Sequence, residues 1–304
     1  MTQKTLSNQY EVRLHEQILK LCHQIELKNH FNRFGPKIFT NYQRVALMVL
    51  FYRSGKALRR FADELFESRW PVWLGLKQLP SYRSLHEWAS KFTLKFLRSL
   101  NCEFLMEEQP SLMAIDATGV DSWQRSRHYE KRRNEFRKAT GLPSEKMPFA
   151  KVDVFVDTNT LAIHDFVLRT KPRHDTLGAA TMLKRAKIKN VLVLADKGYD
   201  SEPLHQLARE KGLTFHAPVR DFKVKRPKGR YRRQSHENPP PEKNRQCLVE
   251  STIRSLKNKF KTLRSRLHYM KKRELAWIVL VHNMDRLASQ SIKALLALLH
   301  KVAF

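Results

Sequence analysis

Cysteine, glycine and long apolar runs are all scarce in this chain of 304 residues. The three cysteines, Cys22, Cys102 and Cys247, lie far apart and form no CxxC pair, which excludes a disulfide framework and a CxxC zinc finger. The N-terminus lacks an apolar signal core, and the apolar run at 275–281 is far too short to cross a bilayer. We therefore expect an unprocessed protein of a reducing cytoplasm with no membrane partner.

Acidic residues are also in short supply. The chain has 58 lysines and arginines against 29 aspartates and glutamates, a formal net charge of +29. The repulsion among so many positive charges destabilises a compact fold unless a polyanion offsets it. Nucleic acid is therefore the leading partner. Charge alone leaves open a ribosomal or membrane-surface protein. The hydrophobic content of 41% is sufficient for a packed core, and the length allows one large domain and a smaller one.

The hydrophobic pattern changes near residue 110. Residues 11–105 show helical periodicity, with Thr40 as a helix cap, and predict an all-helical module over 1–105. Its basic residues, Arg53 and Arg59 among them, suit DNA binding, and a set of dimerisation helices with a solvated basic face fits equally well.

From residue 111 onward, strand and helix patterns alternate, which predicts an α/β domain over 106–290 and a helical tail over 291–304. Two stretches rich in arginine and lysine lack an apolar stripe and are predicted as exposed basic loops, at 125–138 and 220–243. The predicted strands cover 112–119, 150–157, 161–168, 191–195 and 213–219, with a hairpin between the second and the third.

Three carboxylates stand out within this domain. Asp116 and Asp196 each follow an apolar strand-like run, and Glu250 lies on a basic helix downstream. An aspartate after a strand is usually a turn or cap residue, and a glutamate on a cationic helix is usually a surface ion-pair partner. Together in a +29 chain they favour a different reading: three hard oxygen ligands for two Mg²⁺ or Mn²⁺ ions, which activate water and stabilise a phosphoryl transition state.

The helix that carries Glu250 has two distinct stripes. Val249, Ile253 and Leu256 define its core side, and an adjacent stripe places Arg254 and Lys257 in line with Glu250. The third carboxylate and a row of cations therefore share one surface.

The segments Ile115-Asp116-Ala117-Thr118-Gly119, Asp196-Lys197-Gly198-Tyr199-Asp200, and Arg245 with Glu250 and Lys257 resemble those of DDE transposases of bacterial and archaeal insertion sequences. The resemblance implies a ribonuclease-H-like mixed sheet flanked by helices, behind an N-terminal helical module. It implies cleavage of DNA at transposon ends and transfer of the freed 3′-hydroxyl into target DNA. Asp116, Asp196 and Glu250 then form the catalytic triad and bind Mg²⁺, and Arg245 and Lys257 contact DNA.

The expected partner is double-stranded DNA, both the inverted-repeat ends of the element and its target. Pairing of two ends implies a homodimer, and we expect a prokaryotic, nucleoid-associated protein. Two alternatives stay open: a structure-specific nuclease of the same fold, and a DNA-binding descendant without catalysis. Further candidates for DNA contact are Lys197, Arg132, Arg133, Arg230, Arg232 and Arg254.

Overall fold

The computed structural model describes residues 3–31, 34–106, 109–122, 127–143, 150–171, 173–220, 228–259 and 262–302. Contacts between residues divide the chain into two compact units. The first comprises Met1–Glu107 with Lys272–Phe304, and the second is Glu108–Lys271. Residues from 272 onward thus group with the N-terminal helices, whereas the sequence pattern predicts a boundary near 290.

The first unit is helical. Its helices are α1 (Gln3–Gln24), α2 (Asn41–Ser54), α3 (Leu58–Phe66), α4 (Trp70–Trp73), α5 (Tyr82–Lys91), α6 (Leu94–Phe104) and, at the C-terminal end of the chain, the long helix that begins at His268 and ends at Val302. Thr40 caps α2 as predicted, in a reciprocal capping box with Gln43. The apolar stripe from Leu85 to Phe96 predicts one helix, but Thr93 starts a new one, so the stripe is shared by α5 and α6.

The second unit alternates strands and helices. Its strands are β1 (Leu112–Gly119), β2 (Asp121–Ser122), β3 (Lys151–Asp157), β4 (Ile163–Arg169), β5 (Leu192–Ala195), β6 (Thr214–His216) and β7 (Thr262–Leu263). Its helices are α7 (Arg127–Ala139), α8 (Asp175–Arg185), α9 (Glu202–Glu210), α10 (Arg230–Glu237) and α11 (Leu248–Lys259), with 3₁₀ turns at Lys197–Tyr199 and Pro241–Cys247.

Both predicted basic loops contain helices. Helix α7 occupies most of 125–138, and α10 with the second 3₁₀ turn occupies much of 220–243, of which residues 221–227 lie outside the described part of the chain. Neither α7 nor α10 has a described side chain that is buried. The loop predictions were wrong because the sequence signal for a helix is an apolar stripe, and these helices lack one.

The main sheet has the strand order β4-β3-β1-β5-β6. Strand β1 is central: it pairs antiparallel with β3, which pairs antiparallel with β4, and it pairs parallel with β5, which pairs parallel with β6. A separate parallel pair joins β2 to β7. The predicted mixed sheet flanked by helices, in a chain whose N-terminal region is helical, is confirmed.

One face of the sheet buries a continuous apolar cluster beneath α8 and α9, to which β1 contributes Met113 and Ile115. Since side chains alternate along a strand, Ala114 and Asp116 point to the opposite face. Helix α11 packs against β1 and buries Val249, Ile253 and Leu256, as its predicted core stripe requires. The fold therefore places Asp116 at the end of the buried part of the central strand.

Candidate active site

The register between β1 and β5 places the two aspartates side by side. Ile115 is paired with Ala195, so Asp116 and Asp196 are the next residues on two parallel neighbours. Carboxyl ends of parallel strands share one edge of a sheet, where rigid strands fix the side chains that follow them. Asp116 is partly buried and accepts a hydrogen bond from the Ala117 N–H at 2.7 Å, whereas Asp196 is exposed.

Glu250 lies in the first turn of α11, the helix that packs against β1, and its side chain is exposed. Burial raises the pKa of Asp116, and the negative charges of Asp196 and Glu250 raise it further. The Ala117 N–H and the Lys151 ammonium lower it in part. Asp196 and Glu250 are thus each near enough to the partly buried Asp116 for their charges to act on it.

The donor chemistry of this group fits a hard divalent cation. Carboxylate oxygens are the ligands that Mg²⁺ prefers, and a bound cation would relieve the repulsion that raises the pKa of Asp116. Within the described ranges, however, no three His, Cys, Asp or Glu side chains are close enough together to hold an ion. The carboxylates share an edge of the sheet without forming a closed set of ligands.

A buried ion network lies behind this edge and was not predicted from the sequence. Arg169 on β4 donates to both oxygens of the fully buried Asp153 at 2.6 Å, and its Nη2 also reaches Asp175 Oδ1 at 2.7 Å. Lys151 Nζ completes the chain of charges with contacts of 2.7 and 2.8 Å to Asp175. Gly178 on α8 leaves the room that the Asp153 carboxylate occupies, since a Cβ there would overlap it. The network joins β3, β4 and α8.

Tyr199 lies near enough to both the network and Asp116 for their charges to act on its hydroxyl. Its ring is buried in the apolar cluster, and its hydroxyl has no hydrogen-bond partner among the described residues. Burial raises the pKa of Tyr199, and the charges of Asp153, Asp116 and Asp175 raise it further. The tyrosine of the Asp-Lys-Gly-Tyr-Asp string is therefore a core residue beneath the site.

The predicted DNA-contact residues occupy different settings. Arg132 and Arg133 are exposed on α7, Arg254 and Lys257 are exposed on α11, and Lys197 is exposed beside Asp196. Arg245 is exposed in the second 3₁₀ turn, where it donates to Asn159 Oδ1 at 2.8 Å. Arg230 is exposed, but Arg232 on the same helix forms an ion pair with Asp200. The structure brings Arg254, Lys257 and Lys197 onto the elements that carry Glu250 and Asp196, and it leaves α7 as a separate basic surface.

The second unit is a mixed α/β domain that carries Asp116 on its central strand and Asp196 directly after the neighbouring parallel strand. The family model of the transposase DDE domain matches residues 107–284, more than half of the chain, so the protein belongs to that family. The predicted resemblance to DDE transposases is confirmed by this match.

Solved structures of transposases are also similar to the chain. A piggyBac transposase synaptic complex with hairpin DNA is 11% identical, with a TM-score of 0.42 over 92% of this chain and 73% of that one. The Mos1 transposase in a paired-end complex with the left transposon end is 10% identical, with a TM-score of 0.22 over 74% of this chain and 82% of that one. A search of curated proteins found no match. Across the described residues, no helix combines the length and apolarity needed to span a membrane.

Proposed function

We propose that this protein is an insertion-sequence transposase that cleaves DNA at the ends of its element and transfers the freed 3′-hydroxyl into target DNA. The observation that carries the proposal is the position of Asp116 and Asp196 directly after Ile115 and Ala195, the last paired residues of the parallel strands β1 and β5. The helix that carries Glu250 packs against the same central strand, β1. Charge coupling of both neighbours to Asp116 supports the same grouping.

In the proposed site, Asp116, Asp196 and Glu250 would hold two Mg²⁺ or Mn²⁺ ions. When bound, such ions activate the attacking oxygen and stabilise charge on the phosphoryl group. Asp116, fixed by β1 and by the Ala117 N–H, is the rigid member of the set. Asp196 and Glu250 are exposed, so they leave the edge of the sheet open to a DNA backbone.

Binding of DNA rests on cations next to these carboxylates. Arg254 and Lys257 follow Glu250 by one and two turns of α11, so they lie along the same side of the helix. Together with Lys197, they could contact phosphates that flank the reacting one. Arg245, which donates to Asn159 beside Ser111 at the start of β1, would contact DNA farther from the carboxylates, and Arg132, Arg133 and Arg230 would extend the basic surface. Each phosphate contact contributes through release of counterions, so binding should weaken steeply with salt.

The test is metal-dependent nicking of DNA that carries the inverted repeats bordering the reading frame. We expect nicking at the repeat ends with Mg²⁺ or Mn²⁺, and a loss of several orders of magnitude in rate for Asp116→Asn, Asp196→Asn or Glu250→Gln, with DNA binding retained. Glu210→Gln, which changes an exposed carboxylate on α9, is the matched control and should keep wild-type activity.

Other outcomes identify the alternatives. Cleavage of branched DNA in preference to repeat ends would identify a structure-specific nuclease. Tight DNA binding without nicking under any metal would identify a non-catalytic descendant. Sedimentation of the protein with repeat-end DNA tests the proposed homodimer, because synapsis requires two protein copies and two ends in one complex.

A further inference from the structure

The turn that follows β5 carries Asp196, and its own contacts fix it only locally. The Asp196 carboxylate accepts the Lys197 N–H at 2.6 Å, and the Asp196 carbonyl accepts the Tyr199 N–H at 2.9 Å. Asp196 is exposed. Its position at the edge of the sheet therefore depends on what holds the turn as a whole.

Arg220, four residues after β6, donates hydrogen bonds to this turn. Its Nε donates to the Lys197 carbonyl at 3.0 Å, and its Nη2 donates to the Gly198 carbonyl at 2.5 Å. Its backbone N–H donates to Asp200 Oδ2 at 3.1 Å. A Cβ on Gly198 would lie 3.8 Å from Arg220 Nη2 and 3.9 Å from Asp196 Oδ2, so guanidinium and carboxylate flank the same glycine.

Arg232 holds the other end of the turn. Its Nε donates to Asp200 Oδ1 at 2.6 Å, and its Nη2 pairs with Asp200 Oδ2. The Asp200 side chain is 1% exposed and that of Arg232 is 18% exposed. The Glu202 carboxylate accepts the backbone N–H groups of Tyr231 and Arg232 at 3.0 and 2.9 Å, which docks the first turn of α10 at the start of α9.

All three guanidinium nitrogens of Arg232 already donate hydrogen bonds within the protein, so few donors remain for a phosphate. Its remaining terminal nitrogen, Nη1, donates to the Lys228 carbonyl at 3.1 Å, and its charge is matched by Asp200. Arg230 differs, because its side chain is exposed and its guanidinium lies 6.0 Å from the Tyr231 ring. Two arginines from one basic helix therefore have unlike surroundings.

We infer that Arg220 and Arg232 are positioning residues that hold the Asp196 turn in place, and that Arg232 is not a DNA contact. The inference rests on the proposed role of Asp196 as a metal ligand. It assigns part of the arginine-rich segment after β6 to the scaffold of the acidic edge. Partners of metal ligands in other proteins, when removed, typically cost about 10- to 100-fold in metal affinity.

Replacing Arg220 or Arg232 should change metal affinity in opposite directions, depending on whether the arginine positions the Asp196 turn or acts only through its positive charge. Removing a cation near three carboxylates should strengthen the binding of a divalent ion, because repulsion between the two cations is lost. Loss of positioning should weaken it. Lysine sharpens the distinction, since it keeps the charge but lacks the planar fork that serves two acceptors.

The experiment titrates Mn²⁺ into the full chain without DNA, by calorimetry, for wild type, Arg220→Ala, Arg220→Lys, Arg232→Lys and the control Arg230→Ala. We expect the Kd for Mn²⁺ to rise about tenfold or more in the three Arg220 and Arg232 variants and to stay at the wild-type value in Arg230→Ala. Circular dichroism verifies that each variant is folded. If Arg220→Ala is unfolded, the two lysine variants still test the inference.

A second readout is the salt dependence of DNA binding without divalent metal. A lost phosphate contact lowers the slope of log K against log salt by about one. We expect Arg232→Gln, which removes the charge that lysine keeps, to leave the slope unchanged. A slope lower by about one would make Arg232 a DNA contact and overturn that part of the inference. Variants that bind Mn²⁺ as tightly as wild type, or more tightly, would overturn the inference alone. A wild-type chain that fails to bind Mn²⁺ would overturn the proposed function, and the inference with it.

Discussion

Helices α7 and α10 are both short, arginine-rich and without a described buried side chain, yet their surroundings differ. The contacts of α7 include local ones, such as Arg137 Nε to the Pro143 carbonyl at 2.8 Å. Helix α10 is held by two carboxylates from a distant part of the chain, Asp200 on Arg232 and Glu202 on its first turn. A segment rich in arginine becomes part of the folded domain when a buried carboxylate forms an ion pair with one of its arginines.

The comparison separates two uses of the same residue type. On α7, no described side chain is buried, and an isolated helix of 13 residues is marginal in water. A bound polyanion such as DNA would neutralise the cations of α7 and so stabilise its helical form. On α10, the ion pair with Asp200 already neutralises Arg232. We therefore propose that α7 binds DNA and that the Arg232 end of α10 supports the acidic edge.

The largest predicted effect is on stability at α10. Arg232→Ala leaves the buried Asp200 carboxylate without its partner, which should lower the free energy of unfolding by about 3 kcal/mol. Arg132→Ala on α7 should change it by less than about 0.5 kcal/mol, because no buried group loses a partner. Urea unfolding followed by circular dichroism measures both. Adding Asp200→Asn to Arg232→Ala should recover part of the loss. Equal losses for Arg132→Ala and Arg232→Ala would show that α10 is held no more firmly than α7.

The next effect is on DNA affinity at α7. Replacing Lys131, Arg132 and Arg133 together by alanine should reduce the salt slope by up to about 2.7, roughly 0.9 for each phosphate contact, and weaken binding on the order of 10²-fold near 0.1 M salt. Alanine favours helix, so the fold should persist. Fluorescence anisotropy with labelled duplex DNA at several salt concentrations gives both quantities. A slope equal to that of wild type would remove α7 from the DNA-binding surface.

The smallest effect concerns pH and the surroundings of α10. Burial lowers the pKa of His205 and of His216, whose Nδ1 lies 2.8 Å from Ser235 Oγ on α10. Below about pH 6.5 the unfolded chain binds protons that the folded chain excludes, so these histidines make stability fall as pH drops, by at most about 1.4 kcal/mol per pH unit for each group.

His205→Gln tests this assignment. The variant should show a shallower loss of unfolding free energy between pH 7.5 and 5 than wild type, whatever the cost of the substitution in packing against Phe215. The measurement is urea unfolding at three or four values in that range. An unchanged slope would mean that His205 does not titrate with unfolding.

Much of the fold could be predicted from the sequence because β3, β5 and the first half of β1 are buried on both faces. The strand from Leu112 to Gly119 and the apolar run before Asp196 have period-two or continuous apolar patterns that few other structures produce. The core stripe of α11 was likewise readable. The basic helices were not, because their order comes from ion pairs and caps rather than from an apolar stripe.

The site was predictable only where its chemistry is carried by residue type and strand ends. Asp116, Asp196 and Glu250 could be chosen on those grounds. The role of Arg232 depends on Asp200, 32 positions away, and the Lys151 contact with Asp175 spans 24 positions. Such pairings are properties of the folded chain, since no local pattern marks one arginine of a charge run as the member that meets a buried acid.

The most direct test of the account is Mn²⁺ binding by the acidic edge itself, measured by calorimetry on wild type, Asp116→Asn, Asp196→Asn and Glu250→Gln. The account predicts binding by wild type and a Kd raised at least about tenfold by each single substitution, with Glu210→Gln unchanged. Equal binding by wild type and all three variants would contradict it, because the ion would then be held elsewhere.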